Sequence, residues 1–488
     1  MIGPIYIAIE IGFYLLFRYV LKPRANDLSK KKVHQFRDYP HTLHEPNSHR
    51  KHLFKRIVNR IKSTSAHYRT SFQRDFDEFV RGWFSFNESS GNAGSSGPFH
   101  PEEYGKAEPP VIDFDSVKKF FAWAFFDERF EELQSWELFE IDTMMEILKV
   151  EHGIIFPIKD PVHSGGSIQP RCFTLESSNA YHRPLVVYFF FGIIRLFGYA
   201  ILYIIFGYRR YEINCKSGTR TSAVSYWYRG GTVEGQRPCK NPVLFFHGIA
   251  PGGLTFYLPF LEHCFPSKKR GKSAPPVFLF ETLPITYHYS FDAHSEEETV
   301  FGVEQALKRH GFGGDDCKLT LFGHSFGSFQ LTWMLKAKRL RPKIQKLVLL
   351  DSVSILLSSP EVVLNFLYNG GEDPCKDDWA KFWNKAMIRY FASSELFVEH
   401  YLRREFAWFN SELWIEDIPK QVETHIFLSE ADAILDAKKI AKELEMHCKS
   451  RKTLRYTIWK GHGHADVLTR PHLWHDVSSI LNSRLKKE

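Results

Sequence analysis

Sulfur is scarce in this chain and widely scattered. Seven cysteines stand at Cys172, Cys215, Cys239, Cys264, Cys317, Cys375 and Cys448. Their number is odd, no C-x-x-C pair occurs, and no Cys/His spacing suits a metal. A disulfide-built secreted module and a zinc module are therefore not expected; free thiols in a reducing compartment are. No glycine-rich phosphate loop is present, so no nucleotide site is expected, and nothing asks for a cofactor or a metal. A secretory signal is not expected either, because positive charge follows the first apolar stretch instead of preceding it, and no small-residue cleavage site comes after. Overall charge is modest: 64 Lys/Arg against 56 Asp/Glu leave +8 over 488 residues.

That charge is unevenly placed. Residues 22–74 carry 14 Lys/Arg and only Asp27, Asp38 and Glu45, a net of +11, so the remainder is about −3 (8 − 11). The basic stretch follows an apolar run from Ile5 to Leu21 that only Glu10 and Arg18 interrupt. A retained anchor beside an anionic, cytosol-facing membrane surface is expected there, with an in-plane helix as the alternative that Glu10 raises. No recognisable nucleic-acid-binding fold surrounds the basic residues, so nucleic acid is not an expected partner. A second apolar run, Leu185 to Tyr208, contains one charge, Arg195, and is followed by Arg209 and Arg210. It is expected to lie in the interface or against protein, with crossing as the alternative.

Aromatic rings are abundant. Phe, Tyr and Trp make up 16% of the chain although total hydrophobic content is an ordinary 43%. Such rings suit acyl-chain pockets and membrane interfaces alike.

The densest chemistry lies in Gly323-His324-Ser325-Phe326-Gly327, a G-x-S-x-G pentapeptide. The alternating run Lys318–Phe322 before it predicts a strand, and Phe329–Ala337 after it has helical apolar spacing. A serine on such a sharp turn is forced outward, and the glycines leave room for the turn and the helix start. A nucleophilic serine needs a base to take its proton and an acid to orient that base. Thr424–Ser429 predicts a strand that ends at Glu430-Ala431-Asp432, and Leu454–Trp459 predicts another that ends at Lys460-Gly461-His462-Gly463-His464-Ala465-Asp466. Upstream, Pro242–His247 predicts a strand that runs into Gly248.

Serine, acid and histidine in this order, each on a loop after its own strand, resemble the α/β-hydrolase superfamily in its lipase- and esterase-like branch. The resemblance covers roughly residues 211–488 and implies an α/β fold: a mostly parallel sheet flanked by helices, with a helical cap. It implies Ser325 as nucleophile and Asp432 as acid, with Asp351 at the end of Lys346–Leu350 as the alternative and Glu430 a more distant one. It implies His464 as base, because His464-Ala465-Asp466-Val467 resembles the family's pattern after that histidine; His462 is the alternative. His324 is expected to be a local support. Backbone amides of Phe326 and Ile249, or of Ala250 in place of the latter, would form the oxyanion hole.

The expected organisation is an anchor over 1–22, a basic and largely flexible arm and linker over 23–110, a helical region over 111–210 that includes the second apolar segment 185–208, and the hydrolase domain over 211–488. An aromatic-rich cap is expected at 352–420. The function expected is a membrane-associated serine hydrolase of an apolar, lipid-like carboxylic ester, with its catalytic domain facing the cytosol at the endoplasmic reticulum. An acyltransferase using the same acyl-enzyme, or a non-catalytic scaffold on this fold, are the alternatives. Expected partners are the ester and membrane lipids.

Overall fold

The computed structural model describes residues 2–30, 46–87, 111–158, 167–217, 220–231, 241–267, 274–368 and 379–482. The chain forms two compact units. One comprises Met1–Asp27, Ser178–Leu357 and Met387–Glu488, and the other Leu28–Ser177 and Ser358–Ala386.

The first unit is built on a sheet with eight strands among the described residues. These are β1 (Arg209–Ser217), β2 (Arg220–Arg229), β3 (Val243–Phe246), β4 (Val277–Glu281), β5 (Leu319–His324), β6 (Ile344–Leu350), β7 (Glu423–Ser429) and β8 (Leu454–Trp459). Their order across the sheet is β1-β2-β4-β3-β5-β6-β7-β8. The β1–β2 and β2–β4 pairs are antiparallel and every other pair is parallel. Strands β3 and β4 are buried along their whole length, which is why they read as unbroken apolar runs without alternation.

In this unit the N-terminal helix α1 (Ile2–Leu16) continues through one widened turn to Asn26, and six of the helices that follow it pack around the sheet. They are α2 (Leu185–Ala200, continuing to Ile205), α3 (Leu258–Cys264), α4 (Glu296–Arg309), α5 (Gly327–Lys336), α6 (Ala437–Cys448) and α7 (Pro471–Asn482). One face of the sheet presents Phe245, Leu279, Phe322, Val348 and Phe427 to Phe260 and Leu261 of α3 and to Leu473 and Val477 of α7. On the other face α4 lies against Val224 and α5 against Gly323. Helix α4 starts with a capping box: the Ser295 hydroxyl accepts from the Glu298 amide, and the Glu298 carboxylate accepts from the Ser295 amide. This strand order, with helices on both faces and helical segments between β6 and β7, is the α/β-hydrolase fold.

Several expected boundaries move. The first helix does not stop at residue 22 but reaches Asn26, and the unit that carries the sheet takes in residues 1–27 and 178–210 as well as strands after 211. Within the expected flexible arm, Pro46–Tyr68 and Phe72–Arg81 are helices and Phe84–Asn87 pairs antiparallel with Ser167–Pro170. Leu53, Phe54, Ile57 and Val58 of the first helix and Phe76 and Val80 of the second are buried. The 14 Lys/Arg of residues 22–74 hide this helical spacing in the overall charge. The linker expected up to Pro110 lies outside the described residues from 88 onward. The expected helical region does contain helices, Phe114–Phe121 and Ser135–His152, but both belong to the second unit, whereas α2 belongs to the first. The expected cap is likewise divided: 358–386 groups with the second unit and 387–420 with the first.

Candidate active site

Ser325 sits between β5 and α5 with φ +51°, a left-handed conformation that the tight turn imposes on a non-glycine residue. The flanking glycines allow it. A Cβ on Gly327 would come within 2.2 Å of the Phe246 carbonyl oxygen, and one on Gly323 within 2.8 Å of Leu331 Cδ1. The Ser325 amide donates to the Leu350 carbonyl at 2.9 Å, which ties the turn to the end of β6.

The loops after β7 and β8 bring the acid and the base to this serine. His464 Nε2 is 2.9 Å from Ser325 Oγ, and His464 Nδ1 is 2.7 Å from Asp432 Oδ2. In the neutral imidazole the carboxylate partner places the proton on Nδ1 and leaves Nε2 to accept from the serine hydroxyl. Asp432 is itself held, because its other oxygen accepts the amides of Ile434 at 2.7 Å and Leu435 at 3.0 Å. Its side chain is fully buried, and that of His464 is 9% exposed. His462 turns away. Its Nδ1 meets Asp466 at 3.2 Å and its Nε2 meets His472 at 3.3 Å. Glu430 accepts from the Gly461 amide at 3.0 Å on the exposed side of the loop.

Asp351 is also part of the cluster. It has φ +43° and is completely buried. Its carboxylate accepts the Ser429 amide at 2.8 Å, the Ser429 hydroxyl at 3.0 Å and the Ala465 amide at 3.3 Å. One side chain thus fastens the strand end before Asp432 and the residue after His464. Polar atoms of Asp351, Asp432 and His464 lie within 4.8 Å of one another. These are groups that could ligate a cation, but here they are engaged with each other, with Ser429 and with Ser325.

The electrostatics follow from this crowding. Burial pushes the His464 pKa down, but the charge of Asp432, its hydrogen bond and the charge of Asp351 outweigh burial and raise it to about 9. Burial, then the neighbouring Asp432, raise Asp351 to about 6 against the pull of His464 and the Ser429 donors.

The amides of Phe326, which precedes α5, and of Ile249, on the loop after β3, have no protein acceptor among the described residues. The neighbouring amides on the β3 loop are engaged: Gly248 donates to the Tyr257 hydroxyl at 2.8 Å and Ala250 to the Ile285 carbonyl at 3.1 Å. Ala250 is therefore already satisfied, and Ile249 is the open donor. Tyr257 completes a support that the sequence does not announce. Its hydroxyl also meets His324 Nδ1 at 2.8 Å, linking the β3 loop to the residue before the serine. Burial, followed by the charges of His464 and His247, holds His324 well below the usual imidazole range, so it serves as a neutral strut. Rings from the segment after residue 387 rest on the elbow: Tyr401 lies 5.3 Å from Phe326 and Phe406 lies 4.7 Å from Phe329.

No protein-family model and no curated protein matches this sequence. Among solved structures the chain is similar to a carboxylesterase from Bacillus subtilis, with 13% identity, a TM-score of 0.39, and coverage of 62% of this chain and 100% of that one. It is also similar to a thermophilic esterase from Thermogutta terrifontis, with 15% identity, a TM-score of 0.39, and coverage of 55% and 96%. A peroxisomal α/β-hydrolase from Saccharomyces cerevisiae shares 14% identity with a TM-score of 0.36 over 57% and 92%.

Proposed function

We propose that this chain, an α/β-hydrolase by fold, is a serine hydrolase that cleaves an apolar carboxylic ester at a membrane surface. The observation that carries the reading is the relay from Asp432 through His464 to Ser325, with contacts of 2.7 and 2.9 Å. Ser325 Oγ attacks the ester carbonyl while His464 Nε2 takes its proton. Asp432 holds the imidazole and offsets the charge it gains. The oxyanion accepts from the Phe326 and Ile249 amides, which have no protein acceptor among the described residues. His464 then protonates the departing alcohol, and water, deprotonated by the same imidazole, releases the acid from the acyl-enzyme.

An apolar substrate is supported by the Tyr401 and Phe406 rings beside the elbow and by the two apolar helices of the same unit. The +11 segment at residues 22–74 favours the cytosolic face of a membrane such as the endoplasmic reticulum. The test is hydrolysis of p-nitrophenyl esters from acetate to palmitate by the full chain and by Ser325→Ala. Turnover by the wild type should grow with acyl length and fall to background in the variant. Equal turnover by a folded Ser325→Ala protein contradicts the proposal.

A further inference from the structure

The C-terminal half of the first long apolar helix, and positions spread along the whole of the second, pack on the body that carries the sheet, which composition alone does not reveal. Helix α1 buries Phe13, Phe17, Leu21 and Ala25, one stripe at four-residue spacing, against Tyr188, Tyr287, Leu396 and Phe397. Lys22 Nζ donates to the Ala180 carbonyl at 2.9 Å, and Asn26 accepts the Ser178 amide at 2.7 Å.

Helix α2 is held more extensively. Just before it, the buried Arg183 guanidinium donates to the carbonyls of Tyr181 and Ser394, both at 2.5 Å. The Tyr188 hydroxyl donates to Glu395 at 2.8 Å, and Thr255 Oγ1 donates to the Ile194 carbonyl at 3.3 Å. Gly198 approaches so closely that a Cβ there would lie 2.1 Å from Thr255 Oγ1. The Tyr199 ring lies 4.9 Å from that of Trp227 of β2, tilted by 55°, and Leu202 enters the core under the sheet. The two helices meet at Glu10, whose carboxylate accepts the Leu185 and Val186 amides at 3.0 and 3.3 Å. The one acid in the first apolar run is thus the cap for the open N-terminus of the second helix.

Either helix, if it crossed a bilayer, would carry its packing partners to hydrocarbon depth. For α2 these include β2 and the Gly253–Tyr257 turn, whose loop backbone cannot be satisfied by lipid. The outward faces tell the complementary story. Ile7, Ile11 and Leu15 of α1 and Phe189, Phe197 and Ile204 of α2 are exposed. Cations border them: Arg18 on the C-terminal half of α1, 6.0 Å from the Tyr19 ring, and Arg209 after α2, where it stacks 4.1 Å from the Tyr203 ring.

We propose that the outer faces of α1 and α2 form one surface that docks into a single leaflet of an anionic lipid bilayer, with both helices lying in the membrane plane and neither crossing it. Lipid hydrocarbon covers the aliphatic and Phe side chains, and the bordering arginines meet lipid phosphates. The cation border favours this occupant over a second copy of the chain, which would bring the same arginines together.

Two measurements on the full chain test the proposal, and neither depends on catalysis. In sealed microsomes, epitope tags at the N-terminus, within residues 88–110 and at the C-terminus should all be digested by added protease or all be protected. Protection of only some of the tags means that a helix crosses and overturns the proposal. In flotation with phosphatidylcholine vesicles, added phosphatidylserine should strengthen binding. The double variant Phe189→Ser/Phe197→Ser should bind roughly ten-fold more weakly or less, because it removes two large exposed rings from the contact. These rings are 67% and 65% exposed, so the variant should keep the wild-type melting temperature. Unchanged flotation of the variant, or a dimer that ignores vesicles, overturns the proposal.

Discussion

Replacing Asp351 with asparagine removes one of the two carboxylates that raise the basicity of His464, and its effect can be worked out in advance. The polar atoms of Asp351 and His464 lie within 4.8 Å. At an effective dielectric of about 20, unit charges at that distance interact by about 3.5 kcal/mol, or roughly 2.5 pKa units at about 1.4 kcal/mol each. With its own pKa near 6, Asp351 is ionised where His464 titrates, near 9, so nearly the full interaction applies. Loss of a nearby negative charge favours the neutral imidazole, so the His464 pKa must fall. The acid limb of kcat/KM against pH should move downward by about one to 2.5 units in Asp351→Asn. Asparagine keeps an acceptor for the Ala465 or Ser429 amide, and any loosening of those loops lowers the plateau without moving the limb. A limb that stays in place or moves to higher pH refutes the reasoning.

The same carboxyls make stability depend on pH. Asp351 and Glu395, both completely buried, have native pKa values raised by burial to about 6 and about 7. The native state therefore holds protons that the unfolded chain has released, and stability falls as pH rises from about 4 to about 7. Each group contributes about 3 kcal/mol to that fall, which thermal melts across the window should detect. Gly327→Ala drives a Cβ to 2.2 Å from the Phe246 carbonyl oxygen, so its urea midpoint should correspond to a loss of about 3 kcal/mol or more. Tyr257→Phe strips a buried partner from both the Gly248 amide and His324. It should cost about 2 kcal/mol and lower kcat more than it raises KM, because Gly248 precedes the Ile249 oxyanion donor.

Legibility followed the range of the interactions. The elbow was readable because a strand, a turn and a helix are specified within about twenty consecutive residues. The acid and base loops were readable as loops after strands. The choice between His462 and His464, and the meaning of having both Asp351 and Asp432, depend on how two separate loops meet. The structure turns His464 towards Ser325, His462 towards Asp466, and uses Asp351 to fasten both loops. Glu10 could be read only as a flaw in an apolar run, since its partners, Leu185 and Val186, lie more than 170 residues away. Helix α2 has the composition of a spanning segment, and contacts such as Gly198 against Thr255 and Tyr199 against Trp227 reveal it as part of the unit that carries the sheet. The basic arm misled for a simpler reason: its net charge is obvious, whereas the apolar stripe of Leu53, Phe54, Ile57 and Val58 that folds it is short.

The central claim, that His464 and Asp432 activate Ser325 as a nucleophile, is tested most directly by labelling the full-length protein with a fluorophosphonate and mapping the adduct by mass spectrometry. A single adduct on Ser325 is expected, absent in Ser325→Ala and strongly reduced in His464→Ala. A folded wild-type protein that takes no label, or takes it at another residue, would contradict it.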